Sequence, residues 1–172
     1  MLDAVIGLGS NLGARVPTLI SAVRALQQAT SVITLSPLFR SAPVGGPAQG
    51  EYYNAAARIA FAGDPHQLLV LLHGVEAAHG RERREHWGPR TLDLDLLWIA
   101  GVQVASAELT VPHARLTERA FALMPLVALV PNAEHPTSGE RFEAILRRLG
   151  SAGVQSVTEP DWESLRVAIA PP

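Results

Sequence analysis

The chain has 172 residues, enough for one domain that buries about 70 % of the surface its unfolded form would expose, and it has no cysteine, which excludes disulfides and thiolate metal sites. A formal net charge of -2 leaves no global attraction for nucleic acid or an anionic membrane, so any anion site must be local. The N-terminus lacks the basic and apolar regions of a signal peptide, and the longest apolar run, Ala120 to Val130, is too short to span a bilayer; a soluble cytoplasmic protein with no nucleic-acid or membrane partner is expected.

Ala4 to Leu8 reads as a short buried strand that enters Gly9-Ser10-Asn11-Leu12-Gly13, a turn of residues tolerant of unusual backbone angles. Gly7, Gly9 and Gly13 miss the dinucleotide fingerprint, because Leu12 stands where its third glycine belongs. Val16, Leu19, Ile20, Val23 and Leu26 recur at helical spacing. Ser31 to Arg40 is a second strand, and Pro37 places it at an edge or a bulge. Pro43 to Gly50 is a loop by composition and a candidate lid. Tyr52-Tyr53-Asn54 opens a third strand through Ile59 and Phe61. Two rings and an amide that both donates and accepts suit a flat heterocycle; they equally suit a strand end with one ring in the core and one outside.

Asp64 caps a helix with Pro65 in its first turn; Leu68, Leu71, Leu72 and Val75 form its buried face and Gly80 ends it. His73, Glu76 and His79 fall near one side of that helix without the histidine spacing of a zinc peptidase, and read as exposed polar residues. The stretch from Arg81 to Arg90 includes four arginines. A charged loop is commonly solvated surface, but planar donor forks beside a metal site suit a polyphosphate.

The metal site is suggested by the next stretch, Thr91 to Trp98, which alternates as a strand does, so that Asp93 and Asp95 share one face while Leu92, Leu94 and Leu96 share the other. Two carboxylates about 6 to 7 Å apart repel by about 2 to 3 kcal/mol at an effective dielectric of about 20. A divalent cation reverses that sign. The alternative is a half-buried strand with a wet acidic face, although aspartate is depleted in strands.

Ala100-Gly101 turns the chain into a return strand, Val102 to Ala105, and an extended segment from Glu108 to His113. His113 and Arg119 add possible phosphate donors. Thr117 and Glu118 start a helix through Phe121, Leu123 and Met124 that Pro125 interrupts. Phe142, Ile145, Leu146 and Leu149 mark a further helix ended by Gly150. Residues 151–172 are weakly patterned; Val154 and Val157 suggest one more strand, and the end is expected to fray. Strand, helix, strand, strand, helix, strand is the order of a ferredoxin-like split βαβ sandwich, so an α+β fold is expected over one domain, 1–172, with helices packed on a mixed, mostly antiparallel sheet. The wet end of that sheet would gather Asn54, Asp93 and Asp95.

Gly9-Ser10-Asn11-Leu12-Gly13, Tyr53-Asn54-Ala55, Glu76 with Gly80-Arg81, the run from Trp87 to Asp95, and Leu109 to His113 with Arg119-Ala120-Phe121 together resemble the hydroxymethyl-dihydropterin pyrophosphokinase family of folate biosynthesis, from about Val5 to Leu149. The resemblance implies transfer of the β,γ-pyrophosphoryl group of ATP to the hydroxymethyl group of 6-hydroxymethyl-7,8-dihydropterin, releasing AMP, by a monomer. It implies that Asp93 and Asp95 hold two magnesium ions that bridge the phosphates, and that Arg81 and Arg90 share the catalysis. His113 and Arg119 would contact the triphosphate, with His73, Glu76, Arg83 and Trp87 also on the ATP side and Leu69, Leu96 and Thr110 around the adenine. Asn54 would read the polar edge of the pterin, Tyr52 and Phe121 would stack on its faces, and the backbone at Ser41, Ala42 and Val44 would complete the recognition. Two other readings stay open: another magnesium-dependent phosphotransferase, which need not keep Tyr52, Asn54 and Phe121, and a non-catalytic nucleotide- or pterin-binding module, which needs no metal pair.

Overall fold

The computed structural model describes residues 1–43, 49–80 and 90–170. At its centre is β1 (Leu2–Ser10), which pairs on one side with β4 (Tyr52–Phe61) and on the other with β5 (Asp93–Ile99). β1 exceeds the expected Ala4 to Leu8 because β4 supplies partners along its whole length, from Phe61 opposite Leu2 to Tyr53 opposite Ser10. β4 also pairs with β2 (Ser31–Leu35) and β3 (Leu38–Ser41), and β8 (Val154–Val157) adds to β3. The order is β5-β1-β4-β3-β8, with β2 also on β4. The fold is the expected α+β sandwich, but every strand pairing among the described residues is antiparallel, so the sheet is not mixed.

Pro37 does more than mark an edge, since it divides the expected strand from Ser31 to Arg40 in two. A proline has no N–H for the ladder. The neighbouring Ser36 makes the crossing contacts instead: its N–H donates to the Ala56 carbonyl at 2.9 Å, and its Oγ accepts from the Ala56 N–H at 2.8 Å.

Alternation along β1 sends side chains into two layers. Ala4, Ile6 and Leu8 meet α1 (Arg15–Ala29) and α2 (Pro65–Ala78) through Leu19, Val23, Leu26, Leu68 and Leu72. Val5 faces the other way, with Ala56 and Leu97, toward α3 (Ala120–Leu129) and α4 (Phe142–Leu149). α2 starts at the expected cap, where Asp64 accepts from the backbone N–H groups of His66 and Gln67 while the Gln67 side chain accepts from the Asp64 N–H. α3 departs from expectation at both ends: residues Leu116–Glu118 form a 3-10 turn, and the helix starts only at Ala120 and runs through Pro125. Pro125 costs the Phe121 carbonyl its helical partner, and burial of Leu123, Pro125 and Leu126 against the sheet offsets that loss. A fifth helix, α5 (Pro160–Ile169), follows β8 where the sequence pattern is weak; Trp162 anchors it, fully buried in the first layer. No helix among the described residues is long and apolar enough to cross a membrane.

Candidate active site

The second layer covers Gly7 and Gly9 only in part, Leu97 packing against Gly7, and the space beside them is a cavity of about 420 Å³. Gly9 lies opposite Asn54 on one side and Asp93 on the other, while Gly7 lies opposite Asp95. A Cβ on Gly9 would stand 3.6 Å from Asn54 Oδ1, 3.8 Å from Asp93 Cβ and 4.0 Å from Tyr52 Cδ1. Glycine therefore keeps the floor open between an amide and an acid.

Asp93 and Asp95 share the cavity face as the alternation requires, and both line it. Leu97 continues that face by the same alternation, which then breaks: Val5 pairs with Trp98 but Ile6 with Leu96, so a bulge at Leu97 puts Trp98 beside it on the second layer and returns Ile99 to the first. The outer edge of β5 is sealed from two sides. Leu94, between the aspartates, donates its N–H to Glu76 Oε1 at 2.7 Å, and the Leu97 carbonyl accepts from the His113 N–H at 2.9 Å. Glu76 is thus buried, contrary to the exposed position expected of it, because an edge-strand N–H shut off from water requires an acceptor. Its expected companions diverge. His73 is exposed, while His79 bridges two helices through the Val75 carbonyl at 2.7 Å and Ser21 Oγ at 3.0 Å.

The charges alternate around the acids. Arg90 Nη1 donates to Asp93 Oδ2 at 2.7 Å. Burial, and then the neighbouring Asp93, push the Asp95 carboxyl above the usual carboxylate range, with His113, Arg119 and Arg90 opposing. Arg119 is pulled below the usual guanidinium range by burial and by Arg115, against the attraction of the two aspartates. His113 Nδ1 accepts from the Arg115 N–H at 3.2 Å, which leaves the proton of the neutral ring on Nε2 as an outward donor.

Across Gly9 from Asp93 the lining changes from acids to an amide and rings. Tyr52, Asn54, Ser41, Ala42 and Phe121 line the cavity, so the pterin residues expected from the resemblance converge. Asn54 Nδ2 donates to Ser41 Oγ at 2.9 Å, and Tyr52 Oη donates to Gln49 Oε1 at 3.3 Å. The two tyrosines separate. Tyr53 carries Arg15 over its ring at 4.3 Å and donates its Oη to Glu159. Leu69, Leu96 and Thr110 do not line this cavity: Leu96 is closed into the first layer, half-buried Leu69 packs on that layer from α2, and Thr110 is exposed in β7 (Thr110–Val111), which pairs with β6 (Val104–Ala105). Val44, Arg81, Arg83 and Trp87 lie outside the described residues.

Magnesium fits this donor set. Two carboxylates on one face, one of them made costly to ionise by burial and by its neighbour, are stabilised by a hard cation. Among the described residues no group of three or more His, Cys, Asp or Glu side chains gathers to hold a metal. That count suits an ion held by two carboxylates and completed by substrate phosphates and water.

The sequence reading gave no role to Asn11, Gln49, Arg115 or Glu118. Asn11 is 6 % exposed and links distant segments: its Nδ2 donates to Gln49 Oε1 at 2.9 Å and to the Gly50 carbonyl at 3.3 Å, and its Oδ1 accepts from the Arg90 N–H at 2.8 Å. Its only signal in sequence was an amide in a glycine turn. Asn11→Ala is expected to lower stability by about 1 to 3 kcal/mol, since the Arg90 N–H loses its acceptor, and to raise the KM for ATP by releasing Arg90. Urea denaturation beside steady-state kinetics measures both effects; unchanged values would make the amide incidental.

A family model described as 7,8-dihydro-6-hydroxymethylpterin-pyrophosphokinase matches residues 5–131. A 2-amino-4-hydroxy-6-hydroxymethyldihydropteridine pyrophosphokinase of Methylorubrum extorquens is 37 % identical over 159 residues, covering 91 % of this chain and 99 % of that protein. One of the same name from Bacillus subtilis is 39 % identical over 140 residues, covering 80 % and 84 %. Among solved structures, a Plasmodium falciparum HPPK-DHPS crystal structure with pterin and p-hydrobenzoate superposes with a TM-score of 0.71 at 13 % identity, covering 92 % of this chain and 48 % of that one. At that identity the likeness is one of fold. The sequence matches span most of both partners, and the chain belongs to the 7,8-dihydro-6-hydroxymethylpterin-pyrophosphokinase family.

Proposed function

We propose that this chain transfers the β,γ-pyrophosphoryl group of ATP to the hydroxymethyl oxygen of 6-hydroxymethyl-7,8-dihydropterin, in folate biosynthesis, with Asp93 and Asp95 holding two magnesium ions. The observation that carries this reading is the joining, in one cavity, of an aromatic and amide slot with an acid pair flanked by Arg90 and Arg119. A phosphotransferase for another acceptor would not need Tyr52, Asn54 and Phe121 beside the acids, and a binding module would not need the acids.

The chemistry asked of the protein is chiefly positioning and neutralisation. The pterin hydroxyl oxygen forms a bond to the β-phosphorus, the bridging bond from the α-phosphate to the β-phosphorus breaks, AMP leaves, and the hydroxyl proton passes to solvent. Bound magnesium supplies charge neutralisation and alignment of the phosphate oxygens. Tyr52 and Phe121 stack on the ring, and Asn54 recognises its polar edge. Arg90 and Arg119, which line the cavity, would meet the growing negative charge, and His113, whose charge acts on Asp95, would add a donor through its Nε2–H. Each preorganised donor of this kind contributes a factor of about 10² to 10³ in rate. Because all these residues come from one chain, we read the protein as acting as a monomer.

Incubation with ATP, magnesium and the reduced pterin tests the reading. AMP and the pterin diphosphate are expected in equal amounts by chromatography. Stoichiometric ADP would assign attack to the γ-phosphorus and overturn it.

A further inference from the structure

One wall of the cavity has no part in the proposed pyrophosphoryl transfer. α4 ends at Leu149, the chain turns through Gly150 and Gly153 at φ of 78° and 77°, and β8 then runs along β3 with Val154 opposite Ser41. Ser41 is itself opposite Tyr52, so Val154, Ser41 and Tyr52 form a row across three strands, on the face that carries Asn54 and Asp93. Leu149, Ala152 and Val154 all line the cavity. Val154 stands four inter-strand steps from the aspartate strand, or about 19 Å at about 4.8 Å per step. It therefore bounds the end of the cavity away from the acids.

We propose that residues 149–154 form a specificity wall for the heterocyclic acceptor, limiting how far the flat ring extends beyond Asn54 and leaving ATP untouched. These residues lie beyond the stretch matched by the family model. Leu149 is 41 % exposed although it sits on the cavity lining, so a bound ring would cover apolar surface that is otherwise wet. The turn is also held from behind: Arg40 Nη2 donates to Gln155 Oε1 at 2.9 Å, and Trp162 Nε1 donates to the Ser36 carbonyl at 3.1 Å, fixing the segment that follows β8 against the start of β3. On the other side α4 is packed into the second layer through Phe142 and Ile145, and a turn fastened before and after can exclude by shape.

The inference rests on the pyrophosphokinase reading, so the wild type serves as a control. It is titrated with hydroxymethyldihydropterin in the presence of magnesium and the α,β-methylene analogue of ATP, and separately with magnesium and the analogue alone. No pterin binding by the wild type would overturn the functional reading itself. Given wild-type binding, Ala152→Phe, at an exposed position, is expected to weaken pterin affinity by at least about tenfold and to change analogue affinity by less than about twofold. Leu149→Ala, also at an exposed position, is expected to weaken pterin affinity by about three- to tenfold with an unchanged melting temperature. Loss confined to the pterin in either folded variant supports the wall. Unchanged pterin affinity in both, or equal loss of pterin and analogue, overturns it.

Discussion

Asp95→Asn is expected to lower turnover by at least about 10³-fold while leaving the folded protein as stable as before, or slightly more so, in the absence of magnesium. Both halves follow from the same electrostatics. Burial and Asp93 raise the Asp95 carboxyl above its ordinary range, so the folded state favours the protonated form. For a carboxyl raised in this way, the stabilising contribution is complete below the unfolded pKa and is lost as pH rises through the folded one. Ionising this group in the folded state is therefore a cost, and a neutral amide removes it. The same change takes away a charged oxygen that a hard cation requires. Thermal melting supplies a readout besides activity. Magnesium with the α,β-methylene analogue of ATP should raise the wild-type melting temperature and raise that of Asp95→Asn much less, because a ligand stabilises only in proportion to its occupancy. Near-normal turnover in the mutant, or lost activity explained by unfolding, would reduce the acid pair to an ordinary strand face.

The acid pair was legible in sequence because its geometry is local. Period-two alternation fixes the face of Asp93 and Asp95 without knowledge of any other strand. The helix of Leu19, Val23 and Leu26 and the cap at Asp64 were legible for the same reason. What escaped depends on partners far along the chain. Ile99 leaves the face of Asp93, Asp95 and Leu97 for the first layer only because a bulge opposite Val5 and Ile6 breaks the alternation, and that bulge exists only in the pairing with β1. Glu76 reads as one more polar residue on a helix until Leu94, 18 positions later, presents a buried N–H to it. Pro37 was read as a mark on one strand, yet it separates two, because Ser36 can satisfy the backbone of Ala56 across the break. Leu69, Leu96 and Thr110, expected around the adenine, lie off this cavity, and no local pattern in them marks a face for a ligand. The wall at residues 149–154 and α5 have little local signature, since glycine turns and a short helix with one deeply buried side chain carry almost no periodicity.

Trp162→Ala is expected to produce the largest loss of stability of any change considered, about 3 to 5 kcal/mol, with a fall in melting temperature of roughly 6 to 20 °C for a chain of this length. Trp162 is fully buried in the first layer, and its Nε1 donates to the Ser36 carbonyl at 3.1 Å. Truncation therefore opens a cavity and leaves a buried acceptor without its donor, and the two costs reinforce each other. Trp162→Phe separates them: it keeps most of the packing, loses only the hydrogen bond, and should cost about 1 to 3 kcal/mol. The damage should also be directional. Ser36 stands where β2 gives way to β3, and β3 carries Ser41, the acceptor of the Asn54 amide, while Asp93 and Asp95 lie across β1 and β4 from this point. At a temperature where both proteins are folded, Trp162→Phe should therefore raise the KM for the pterin more than that for ATP. A melting temperature unchanged in Trp162→Ala would make α5 a dispensable appendage, and equal shifts in the two KM values would remove its link to the acceptor end of the cavity.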